Sequence, residues 1–113
     1  MSRELTKSQK KRLRHLAEIA YERELSQASD ALLAEFNRWK KKQIDVFELN
    51  EKIHEFHNGI SRTLYERYVG MDPRFGVGRA IKVGVLNRRE VEDDLFSLIE
   101  EMVEILRSSE FIK

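Results

Sequence analysis

Apolar side chains recur at steps of three and four along most of this chain. Leu13, Leu16, Ala17 and Ala20 mark one face, and Leu25, Ala28, Leu32, Phe36 and Trp39 continue it. No glycine or proline falls between residues 6 and 43. The pattern predicts one amphipathic helix over that span. Thr6 or Ser8 can cap its start, and Lys40, Lys41 and Lys42 suit the negative end of its dipole. A helix this long would measure about 54 Å, whereas a compact chain of this size has a radius of gyration near ~13 Å. Either the molecule is elongated or the helix bends near Ser26–Asp30. The absence of a strong breaker favours a continuous helix. Ile19 and Leu33 stand off the main stripe, which suggests burial on more than one side, as an oligomer would supply.

Residues 45–69 carry two lines at once. Leu49, Ile53, Phe56, Ile60 and Leu64 form a helical stripe, opened by an Asp45–Glu48 capping box. Beside it run Phe47, His54, Ser61, Tyr65 and Tyr68, groups that can bond as well as pack. Gly59 is a weak point, and Arg67 falls within the stripe, where its head needs solvent or a carboxylate.

The stretch GMDPRFGVGR, residues 70–79, holds three of the five glycines and the single proline, and residues 70–86 read as a connection across one end. Ile81, Val83 and Val85 alternate like a strand, but a lone strand has nothing to pair with. Asp72 before Pro73 suits a helix start, so a short helix is favoured. Asn87 and Glu90 form a further capping box. A third long helix, about 88–108, then presents Val91, Leu95, Leu98, Ile99, Met102 and Val103.

The expected fold is all-α: a single domain over 1–113, built as a long antiparallel helical hairpin plus a third long helix in an elongated bundle. Trp39, Phe36, Phe56, Ile60, Leu64, Leu95, Ile99 and Met102 are the expected core.

Composition narrows the function classes. Hydrophobic residues make up 41% and charged residues 36%; a charged share well above the usual quarter suits exposed helices rather than disorder. Without cysteine there is no disulfide or thiolate metal site. The amino-terminal stretch does not read as a signal peptide, and no apolar run approaches the ~20 residues that span a bilayer. A cytoplasmic protein without membrane contact is the expectation. The net charge is +1, yet residues 1–43 carry eleven Lys/Arg against six Asp/Glu and residues 90–113 carry two against eight. The basic first helix is therefore expected to pair with the acidic last one, within or between chains, ahead of binding an acidic partner.

Four constellations bear on chemistry. Glu51, His54 and His57 have spacings a metal could use, but the motif occurs once and the HExxH pattern is absent. His54 or His57 could serve acid–base chemistry with Ser61 and Tyr65, which line up with His54 at spacings of seven and four; no nucleophile elbow or oxyanion donor accompanies them. Arg74, Gly76, Gly78, Arg79 and Lys82 could form an anion-binding loop, although the third glycine of a dinucleotide fingerprint is missing. Lys7, Lys10, Lys11, Arg12 and Arg14 could contact phosphates.

Packing, solvation and connection are the favoured roles for all four. The expected function is that of a small non-catalytic interaction or regulatory protein without a cofactor. It would act through helical surfaces on a second copy, a dimer above all, or on another helical protein. The alternatives are a nucleic-acid-associated factor using the first helix, and a hydrolase or metal-dependent enzyme using His54 and His57.

Overall fold

The computed structural model describes residues 5–108, without the side chains at 101–103 and 105–108. Among these residues the chain is all helix and turn. The elements are α1 (Lys7–Lys40), α2 (Val46–Phe56), a π turn (His57–Ser61), α3 (Arg62–Tyr68), α4 (Pro73–Val83), a 3-10 turn (Arg88–Glu90) and α5 (Asp93–Ser108). The molecule measures 56 × 28 × 22 Å with a radius of gyration of 17.3 Å. It is elongated because α1 is continuous through Ser26–Asp30.

The caps form as expected. Thr6 accepts from the Gln9 N–H, and the Gln9 side chain returns a bond to the Thr6 N–H. Asp45 and Glu48 make the same reciprocal pair at α2. After Lys41 the chain turns sharply at Lys42, whose φ is 61°.

The second helix of the hairpin is not straight. Asn58, Gly59 and Ser61 give it little intrinsic helical hold, and one turn there widens to π geometry. The extra residue rotates everything after it by roughly 100° about the axis. This explains why the expected stripe divides. Leu49 is buried in the first part and Leu64 in the second, while Ile60 between them is 42% exposed. The same rotation carries Tyr68 into the core and moves Arg67 towards its rim.

The short helix expected after Asp72 forms as α4, but it lies at the heart of the fold rather than across one end. Asp72 caps α4 by accepting from the Arg74 N–H, with Pro73 at the first helical position. Gly76, Val77, Gly78 and Ala80 are buried. Two glycines weaken a helix by about 1 kcal/mol each relative to alanine, so tertiary packing holds α4. A Cβ on Gly76 would lie 3.0 Å from Cδ1 of Tyr68 and 3.4 Å from the Arg67 carbonyl oxygen. Glycine is what lets α4 approach α3 so closely. Gly84 ends α4 in the left-handed region at φ 85°, and the Val85 N–H returns to the Ala80 carbonyl.

The main core joins Leu13, Leu16, Ala17 and Ala20 of α1 to Leu64 and Tyr68, to Val77 and Ala80 of α4, and to Leu95, Leu98 and Ile99 of α5. Each large side chain fully buried there contributes of order 1.5–3 kcal/mol. α5 packs mainly on α4 rather than directly on the hairpin. It also starts at Asp93 rather than near 88, because the Asn87–Glu90 capping box serves the 3-10 turn.

Beyond this core the second half of α1 and α2 extend as a two-helix arm. Ile44 and Leu49 are buried in it, outside the main cluster. Of the expected core residues, Leu64, Leu95 and Ile99 are buried. Phe36, Trp39 and Phe56 are only half-buried in the arm, which has no third layer over them among the described residues. The Met102 side chain lies outside those described.

Candidate functional site

Three arrangements could carry function: a polar cluster where α1 meets α3 and α4, a charged stripe on α1, and the open face of the arm.

Glu24 forms the polar cluster. It lies on the same face of α1 as Leu13 and Ala20, so its carboxylate is carried towards the core; its side chain is only 15% exposed. That carboxylate accepts hydrogen bonds from Arg67 Nη1 at 3.3 Å, Arg79 Nη1 at 3.4 Å and the Tyr68 hydroxyl. Tyr68 stacks on Tyr21 with ring centroids 5.6 Å apart. Burial, and then the bond to Glu24, push the Tyr68 phenol above the usual tyrosine range. The arrangement is a closed set of mutually satisfied partners that locks three helices, with no nucleophile and no free base.

Charge also ties α1 to the acidic segment before and within α5. The Arg12 guanidinium donates to Glu92 at 2.8 Å and to Asp94 at 2.6 Å. Arg23 takes both oxygens of Glu90 and also donates to the Val85 carbonyl at 2.9 Å. The side-chain bond from Arg23, helped by the Asn87 N–H, lowers the Glu90 carboxyl to about 2. The expected pairing of basic first helix with acidic last region is thus present within one chain. Arg88 is engaged locally: it bonds Asp93 and the Val91 carbonyl and lies over the Phe96 ring at 3.8 Å.

With Arg12 engaged, Lys7, Lys10, Lys11 and Arg14 keep to one side of α1, without an ion pair among the described residues. Along this side runs a shallow hollow of about 390 Å³ that also reaches His15 and Glu18.

The arm carries an apolar groove of about 410 Å³. Ala28, Ala31 and Leu32 supply one wall, Phe56 and Ile60 the other, with Glu35, Lys52 and Glu55 at the rim.

The remaining candidates do not converge. Glu51, His54 and His57 are all exposed, and among the described residues no three His, Asp or Glu side chains are placed to hold a metal ion. The π turn breaks the line from His54 through Ser61 to Tyr65, and Tyr65 is 57% exposed. The proposed anion loop does not exist as a loop. Gly76 and Gly78 are buried in α4, Arg74 bonds the Asp72 carboxylate that caps the helix, and Arg79 faces Glu24; Lys82 stands near the helix end.

Sequence reasoning overlooked Glu24 and Tyr21. The signal for Glu24 was present, since an acid sits four residues after Ala20 on the apolar stripe, matching the intrusive Arg67 on the opposite helix.

Comparison with family models, curated proteins and solved structures finds no match. Function must therefore be argued from the geometry alone. Among the described residues no helix is long and apolar enough to cross a membrane.

Proposed function

We propose that this is a non-catalytic interaction or regulatory protein whose two-helix arm pairs with the arm of a second copy. The observation that carries the reading is the apolar groove formed by Ala28, Ala31, Leu32, Phe56 and Ile60 on an arm with no covering layer. Two helices alone bury one seam between them and leave the outer apolar positions wet. A second hairpin laid across the groove makes a four-helix bundle, the usual way for such a pair to complete its core. The rim favours a copy of the same chain. Glu35, Lys52 and Glu55 share this surface, with Lys52 3.8 Å from Glu55, and a twofold pairing sets such a mixed rim against itself with opposite charges available on each side.

Sedimentation velocity across micromolar to near-millimolar concentration tests this. The parent chain should move as a dimer at the upper end, and Ile60→Glu should move as a monomer with unchanged circular dichroism. Ile60 is open enough to accept the substitution without disturbing the main core. A parent chain that stays monomeric throughout, or an Ile60→Glu variant that dimerises like the parent, rejects the reading.

A further inference from the structure

We propose that the exposed side of α1 binds single-stranded nucleic acid, with phosphates along Lys7, Lys10, Lys11 and Arg14 and a base in the adjoining hollow beside Tyr21. The site is separate from the arm and does not depend on how the arm is covered.

The first support is the distribution of charge. Several arginines here are paired with named acids: Arg12 with Glu92 and Asp94, Arg23 with Glu90, Arg67 and Arg79 with the one Glu24 carboxylate, Arg74 with Asp72. Among the described residues, Lys7, Lys10, Lys11 and Arg14 have no such acid. Their spacing places them together on a helix surface, as a row of positive charge about 10 Å long. A strand of phosphates is the ligand such a row fits, and phosphate contact needs little more than charge.

The second support is what lies at the end of the row. Arg14 and Glu18 line not only the hollow beside the lysines but a second one, of about 300 Å³, walled by Tyr21, Tyr68, Met71 and Pro73. The two hollows therefore meet at Arg14. Met71 is half exposed, and the Tyr21–Tyr68 stack gives the second hollow an aromatic wall. Cations tracking a backbone, leading to an aromatic platform for a base, is the combination used to hold single strands. A duplex keeps its bases stacked inside and would leave the aromatic hollow unused. Glu18, the acid among the lining residues, can accept from a base amino group and disfavours a second phosphate there.

Fluorescence anisotropy with the full chain and labelled 15-nucleotide single-stranded DNA and RNA tests this. Four phosphate contacts on a single strand predict roughly 50-fold weaker binding on going from 50 to 200 mM salt. The Lys7→Glu/Lys10→Glu/Lys11→Glu variant should bind at least tenfold more weakly and flatten that salt dependence. Tyr21→Leu should also weaken binding, whereas Tyr21→Phe should not; circular dichroism confirms that each variant is folded. Absence of binding at 50 mM salt, equal affinity for a blunt duplex of the same length, tighter binding to anionic phospholipid vesicles, or variants that bind like the parent would each overturn the proposal.

Discussion

The Tyr68 hydroxyl donates to the Glu24 carboxylate across the seam between α3 and α1. The bond joins a ring that the π turn has swung inward to an acid that the α1 stripe has carried towards the core. Arg67 and Arg79 complete the set from two further directions. No member of the cluster has a comparable partner without the others.

Glu24→Ala leaves a buried phenol and two guanidinium groups without their acceptor, and should destabilise the protein by roughly 1–3 kcal/mol. Glu24→Gln retains an acceptor for Tyr68 and should cost less. Urea denaturation orders the two. Equal stability of Glu24→Ala and the parent would show that the cluster is replaceable by water.

Two glycines in helical segments should respond in opposite directions to alanine. At Gly76 the new Cβ meets the Tyr68 ring, which is held by its stack and its hydrogen bond and has little freedom to yield. Overpacking of this kind costs about 1–3 kcal/mol, enough to outweigh the gain in helix propensity. At Gly59 nothing lies within 4 Å, so Gly59→Ala should stabilise by about 0.5–1 kcal/mol. Thermal melts of both variants check the contrast, and a stabilised Gly76→Ala would contradict the close approach of α4 to α3.

Alkali should reveal Tyr68. Its pKa is raised in the folded state, so the stability it contributes is complete below the unfolded value near 10 and is lost as pH rises past it. Ultraviolet titration of the folded protein should show one phenol that resists ionisation, and Tyr68→Phe should remove that late step. A parent without a late step, or a late step that survives in Tyr68→Phe, would refute this.

Acid should act through Glu90. Its pKa is lowered to about 2, so the stability it contributes is present above the unfolded value near 4.3 and fades as pH falls towards 2. Arg23→Gln should remove much of that dependence, because Arg23 is the chief cause of the lowered value. Melting temperatures measured from pH 5 to pH 2 for both proteins give the answer; parallel curves would exclude the Arg23–Glu90 pair as a source of acid sensitivity.

Local pattern was sufficient for the long helices and their caps. The Thr6 and Asp45 caps follow from side chains acting on backbone groups within a turn, and the α1 stripe from a period of 3.6 residues, so neighbours in sequence decide both; the Asn87 cap also forms, but on a 3-10 turn rather than on α5. The charge imbalance between the ends likewise foretold that α1 would pair with the acidic end, without showing that Arg12 and Arg23 are the residues that do so. Arg67 announced its need for a carboxylate without revealing that Glu24 supplies it.

Packing decided the rest. Asp72 and Pro73 pointed to a short helix at α4, but two glycines made it look peripheral, and only the burial of Val77 and Ala80 among three other helices puts it at the centre. The π turn depends on matching two apolar faces against the same partner, which no short window of sequence contains. It determines that Tyr68 is buried, that Ile60 is open and that the line through His54, Ser61 and Tyr65 is broken. A helix period can be read from one strand of sequence, but the phase between two helical segments is set by what both must touch.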